Sequence, residues 1–140
     1  MRKLSQLLGA TLAALLLAFT VNGAEAKTTQ LKWNKSTSKG RTFVVAEHWD
    51  VNRDCSVRAF PAAKVVSPPK HGKTRVGRGK IKLSSKYAKD PYYKCRSLIV
   101  SGTTIRYTPD PGFTGKDVLK IRVNYSTGDI HEIDVVVTVR

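Results

Sequence analysis

The chain has 140 residues, with 25 Lys+Arg against 10 Asp+Glu, a formal net charge of +15, and two cysteines. That is chain enough for one hydrophobic core and too little for two domains. The sequence holds no G-x-S-x-G, no H-E-x-x-H and no phosphate-binding glycine loop backed by a helix, so no enzyme class is indicated and a non-enzymatic protein is expected.

Arg2 and Lys3 open the chain, an apolar stretch runs from Leu7 to Val21, and Ala24-Glu25-Ala26 places small residues at a cleavage site. This three-part layout predicts a secretory signal peptide over residues 1–26. The alternative is an uncleaved anchor, since the apolar stretch lies near the lower limit for a spanning helix. Cleavage after Ala26 leaves 114 residues, Lys27–Arg140, carrying +14 and no second apolar run, hence an exported, periplasmic or secreted protein that does not span a membrane. In an oxidising compartment Cys55 and Cys95 are expected to pair. Their wide separation argues against a zinc ligand pair, and the lack of C-x-x-C against a redox pair.

Residues 27–40 are polar and read either as a leader or as an edge strand through Leu31 and Trp33. The main domain is expected over 41–140. Thr42–Ala46 is β-branched and aromatic, Ser56–Phe60 alternates, and Lys64-Val65-Val66 forms a third short run, cut by Pro61, Pro68 and Pro69. From Lys73 to Lys94 glycines alternate with basic residues, which reads as a long basic excursion between strands with one short strand near Ile81. Thr103–Tyr107 alternates again. Leu119, Ile121, Val123 and Tyr125 share one face, and Ile133, Val135, Val137 and Val139 share another across a Ser126–Asp129 turn, which predicts a hairpin. Short strands broken by Pro and Gly, with no helical periodicity after residue 26, predict an all-β antiparallel sandwich.

Pro69-Lys70-His71-Gly72, then Tyr107-Thr108-Pro109-Asp110-Pro111-Gly112-Phe113-Thr114-Gly115-Lys116-Asp117, then a Val-rich closing strand, resemble bacterial Ig-like and cadherin-like domains, in particular their single-domain, exported, two-cysteine type. The resemblance covers Pro68–Val139 and implies an Ig-like sandwich in which His71, Gly72, Pro109, Gly112, Phe113, Gly115 and Asp117 are structural turn residues. Physically, the prolines stop a strand, the glycines take conformations other residues avoid, Phe113 plugs the sandwich end, and Asp117 accepts backbone N–H bonds. An exposed Phe113 used for binding is the alternative. Calcium is not carried over, because the clustered acidic linkers of calcium-binding relatives are missing here, and no cofactor is expected.

Twelve basic residues stand against Asp90 alone between Phe60 and Arg106, so +11 of the +14 lies in that segment. Clustered charge of one sign attracts polyanions; the plainer reading is a solvated loop that maintains solubility. Lys73, Arg75, Arg78, Lys80 and Lys82 are the candidate phosphate or carboxylate contacts, with Tyr87, Tyr92 and Tyr93 as stacking partners. An exported protein meets acidic polysaccharide, lipopolysaccharide or another envelope polyanion rather than nucleic acid. A protein partner captured on an edge strand is the competing reading. His48-Trp49-Asp50 sets a histidine and an aspartate on one strand face, a weak metal pair without a third ligand; no metal is expected.

Overall fold

The computed structural model describes residues 26–84 and 89–140, so the signal-peptide segment, apart from Ala26, and Lys86 and Tyr87 lie outside the described residues. The described residues form nine strands: β1 (Thr28–Thr37), β2 (Phe43–His48), β3 (Asp50–Val51), β4 (Val57–Ala59), β5 (Ala62–Ser67), β6 (Gly72–Lys82), β7 (Ile99–Pro109), β8 (Gly115–Asn124) and β9 (Ile130–Val139). One 3-10 turn, Tyr93–Cys95, precedes β7. The protein is all-β, as its alternating runs dictate. One sheet has the order β1-β9-β8-β5, a second β2-β7-β6, and β3-β4 forms a small third.

The last hairpin follows directly from its period of two. Leu119, Ile121 and Val123 of β8 and Ile133, Val135, Val137 and Val139 of β9 are buried against Val45, Ala46, Ile105 and Tyr107 of the second sheet. Alternate residues of a strand point to opposite faces, so every second side chain enters the space between the sheets. Burying a Val, Leu or Ile stabilises by about 1.5–3 kcal/mol. In β2 a bulge at Val45 lets both Val45 and Ala46 face inward.

Residues 28–37 form an edge strand, and it pairs with β9 in parallel, Thr28 opposite Ile130 through Thr37 opposite Val139. Every other pair is antiparallel. Parallel pairing requires the chain to travel the full length of the sandwich between the two strands. Here it does so because the first and last strands of the domain are neighbours. Leu31 and Trp33 thereby pack on the core.

The first half of the basic stretch, Lys73–Lys82, is not an excursion. Gly72–Lys82 is an eleven-residue strand paired with β7 along its whole length, from Gly72 opposite Pro109 to Lys82 opposite Ile99. It lacks an apolar stripe because it is the edge of its sheet, where lysines also discourage pairing with other chains. The ribbon β6–β7 serves two cores from opposite faces. Ile105 and Tyr107 enter the main core, whereas Val100 faces a second cluster with Val51, Leu83 and Cys95. Cys55 and Cys95 are bonded there, with Cα atoms 5.5 Å apart, and tie the β3–β4 loop to the 3-10 turn.

The Tyr107–Asp117 segment closes one end. Asp117, 3% exposed, accepts the N–H groups of Lys70 (2.9 Å), His71 (2.9 Å) and Val118 (3.0 Å) and the Tyr107 hydroxyl (3.0 Å). It therefore fixes the preceding β5–β6 turn as well as its own. Phe113 stacks on His71, centroids 4.3 Å apart and planes 8° from parallel, and packs against the core. Gly112 and Gly115 hold φ of +80° and +126°, which disfavour any side chain. Gly72 lies so close to Tyr107 that a Cβ would meet the ring at 2.5 Å.

Candidate functional site

The register of β6 on β7 decides which basic residues act together. Lys73 and Arg75 stand on the outer face of the sheet, opposite Thr108 and Arg106. Arg78, Lys80 and Lys82 stand on the other face, opposite Thr103, Ser101 and Ile99. The five residues that sequence groups together are thus divided by the pleat. Lys80 spends its ammonium on the Ser101 hydroxyl at 3.1 Å, and the Arg78 guanidinium lies 4.0 Å over the Phe60 ring.

Tyr92 and Tyr93 do not join them. Tyr92 packs edge-on against Trp49, with centroids 6.0 Å apart, and Tyr93 lies under the Arg96 guanidinium at 3.9 Å. What joins the basic strand instead is Arg106, which pairs directly with Arg75 across β6–β7; both are exposed. Arg75, Arg78 and Arg106, with Gly77 and Thr104, line a depression of about 320 Å³. Among the described residues no carboxylate lies within ion-pair distance of these three; the ion pairs formed are Arg58–Asp50, Lys120–Asp134 and Arg122–Glu132, each 3.5 Å. Like charges directly opposite on neighbouring strands repel. An anion between them removes that repulsion and accepts the forked guanidinium donors. Sequence reasoning misses Arg106 because its partner depends on register, which only the folded ribbon defines.

A second concavity, of about 380 Å³, opens between β1 and β2–β3 on the side of the sandwich away from β6. Trp33 and Leu31 of β1, Trp49, Tyr92, Tyr125 and His131 supply its apolar and aromatic wall. His48 is 3% exposed, stacked on Trp33 at 5.7 Å, and its Nδ1 shares a 3.0 Å hydrogen bond with the Tyr125 hydroxyl. Its Nε2 is buried with no hydrogen-bond partner among the described residues. Burial, and secondarily the nearby His131, lowers the His48 pKa to about 4, so the ring is neutral near pH 7. Burial and the carboxylates of Asp50 and Asp129 push the Tyr125 hydroxyl up to about 12.

Asp50, the other half of the pair suggested by His48-Trp49-Asp50, is buried and bound by Arg58 at 3.5 Å and by the Ser126 hydroxyl and N–H. Among the described residues no three His, Cys, Asp or Glu side chains come together to hold a metal ion. The aromatic members Trp33, in β1, and Tyr125, in the turn after β8, lie far apart in the chain, and sequence reasoning does not assemble them.

The chain matches no protein-family model, no curated protein and no solved structure. Among the described residues no helix is long and apolar enough to cross a membrane.

Proposed function

We propose that this is an exported, non-enzymatic Ig-like domain that binds an anionic polymer of the cell envelope, an acidic glycan or a phosphate-bearing chain. The observation that carries the reading is the uncompensated, exposed Arg75–Arg106 pair, which faces across edge strand β6 and its neighbour β7. Two facing guanidinium groups without carboxylate partners leave electrostatic repulsion in the free protein that a polyanion relieves. Lys73, on the same face as Arg75, extends the positive surface along the strand. The disulfide and the signal-peptide pattern support export to the periplasm or beyond. The buried Asp117 turn anchor and the His71–Phe113 stack give a structural role to the residues on which the Ig-like resemblance rests.

The test uses alginate and long-chain polyphosphate as probes. Affinity is expected to fall at least tenfold as NaCl rises from about 50 to about 300 mM, because exposed charges separated by more than ~10 Å are screened at that strength. Reversing both charges, Arg75→Glu with Arg106→Glu, should lower low-salt affinity at least tenfold. Lys116→Glu with Lys120→Glu, on the other sheet, should change it less than threefold. Equal losses in the two double variants would reduce the interaction to net charge and overturn the site.

A further inference from the structure

The aromatic concavity between β1 and β2–β3 is separate from the arginine face and shares no lining residue with it. Two observations mark it as built for a ligand. The first is the His48 ring, a wall of the cavity, with Nε2 buried and unpartnered. A buried polar atom left without a hydrogen bond costs about 1–3 kcal/mol, and a ligand hydroxyl supplies the missing partner, whichever ring nitrogen carries the proton, once the side chains that cover Nε2 move to admit it. The second is the wall itself. Ligand sites of roughly 300–1,000 Å³ are typically apolar and aromatic, with a few convergent polar groups. This one is about 380 Å³ and has Trp49 and Tyr92 set edge to face beside Glu47, Asp129 and Arg58.

The polar groups also define the charge of the occupant. Arg58 and Asp50 pair at 3.5 Å and cancel, which leaves Glu47 and Asp129 to oppose an anion, while the strongly positive charge of the protein as a whole disfavours the accumulation of cations. A neutral ring bearing hydroxyls meets neither obstacle. Its hydroxyls donate to the carboxylates and accept from Arg58, and its C–H faces lie on the aromatic walls. We propose that this cavity binds one neutral sugar ring, free or as a unit of a glycan. The site serves no step of the polyanion reading and stands or falls without it.

Ligand-observed saturation-transfer NMR and tryptophan fluorescence on the oxidised protein provide the test. The probes are glucose, galactose, mannose, N-acetylglucosamine and their methyl glycosides, with glucuronate and tetramethylammonium as charged contrasts. At least one neutral sugar is expected to bind and to shift tryptophan emission. Affinity should fall at least tenfold in Trp49→Ala and Arg58→Gln, and about threefold in Glu47→Gln, whose exposed side chain leaves folding unaffected. The Arg75→Glu, Arg106→Glu variant should bind as the parent does. The proposal is overturned if no neutral sugar binds, if either charged probe binds more tightly than every neutral one, or if the Glu47→Gln and Arg58→Gln variants, shown folded by their thermal midpoints, bind unchanged.

Discussion

Replacing Asp117 by Asn changes one oxygen to an NH₂ group and almost nothing in shape, so it isolates the acceptor role of the carboxylate. One oxygen of Asp117 receives the N–H groups of Lys70 and Val118, and the other receives the His71 N–H and the Tyr107 hydroxyl. With the amide oxygen toward Lys70 and Val118, the NH₂ confronts the His71 N–H, donor against donor, and the flipped orientation is worse because the NH₂ then confronts two N–H groups. The Tyr107 hydroxyl can turn to the His71 carbonyl, 3.3 Å away, but the His71 N–H has no such alternative. An orphaned buried N–H costs about 1–3 kcal/mol, and the two retained bonds each lose roughly 0.5–1 kcal/mol as the acceptor becomes neutral. The sum is about 2–5 kcal/mol, a large share of the ~5–15 kcal/mol that stabilises a domain. At roughly 4 °C per kcal/mol for a domain of this size, Asp117→Asn should lower the thermal midpoint by about 8–20 °C. Tyr107→Phe removes one donor and should cost about half as much. Differential scanning calorimetry of the two single variants and the double variant measures both numbers and their coupling. A loss below about 3 °C in Asp117→Asn, or strictly additive losses in the double variant, would refute the idea that this carboxylate holds the two turns together.

Other outcomes follow from single distances. Cys55→Ser with Cys95→Ser opens a loop of 40 residues, and the chain-entropy relation gives a loss of about 4 kcal/mol, readable by urea unfolding as a lower midpoint with a steeper slope, because the unfolded chain without its cross-link exposes more surface. Gly72→Ala drives a methyl into the Tyr107 ring and the Thr108 carbonyl and should cost about 1–3 kcal/mol, whereas Gly77→Ala meets nothing within 4 Å and should be close to neutral in the same assay. His48 has a folded pKa near 4 against 6.5 unfolded. Between those values the unfolded chain binds the extra proton, so the contribution of neutral His48 is complete above about pH 6.5 and is lost as pH falls toward 4. The expected loss is about 3 kcal/mol. His48→Gln should flatten that part of the stability–pH curve, and an unchanged curve would show that His48 is not buried neutral.

Much of the sandwich was legible in the chain. The β8–β9 hairpin is written in Leu119, Ile121, Val123, Ile133, Val135, Val137 and Val139, because a strand buried on one face must alternate and no other structure has that period. The Pro-Gly-Phe corner and its aspartate were legible for the same reason: local backbone geometry restricts which residues can stand there. Strand β6 was not legible. An edge strand covered in part on each face, at different ends, shows no consistent stripe, and its glycines and lysines imitate a loop.

The sites divide in the same way. Sequence alone determined that the domain is all-β, that Cys55 and Cys95 have each other as partners, and that positive charge concentrates between Phe60 and Arg106. These properties depend on composition and on residues close in the chain. Tertiary structure decided that Lys73 and Arg75 part from Arg78, Lys80 and Lys82, that Arg106 joins Arg75, and that Trp33, His48, Trp49, Tyr92 and Tyr125 enclose a cavity. Such groupings are set by register and by the approach of distant strands. A shift of one residue in the pairing of β6 with β7 would carry Arg75 and Arg78 to the opposite faces and part Arg75 from Arg106, and nothing in the local sequence of either strand specifies that register without the core packed against it.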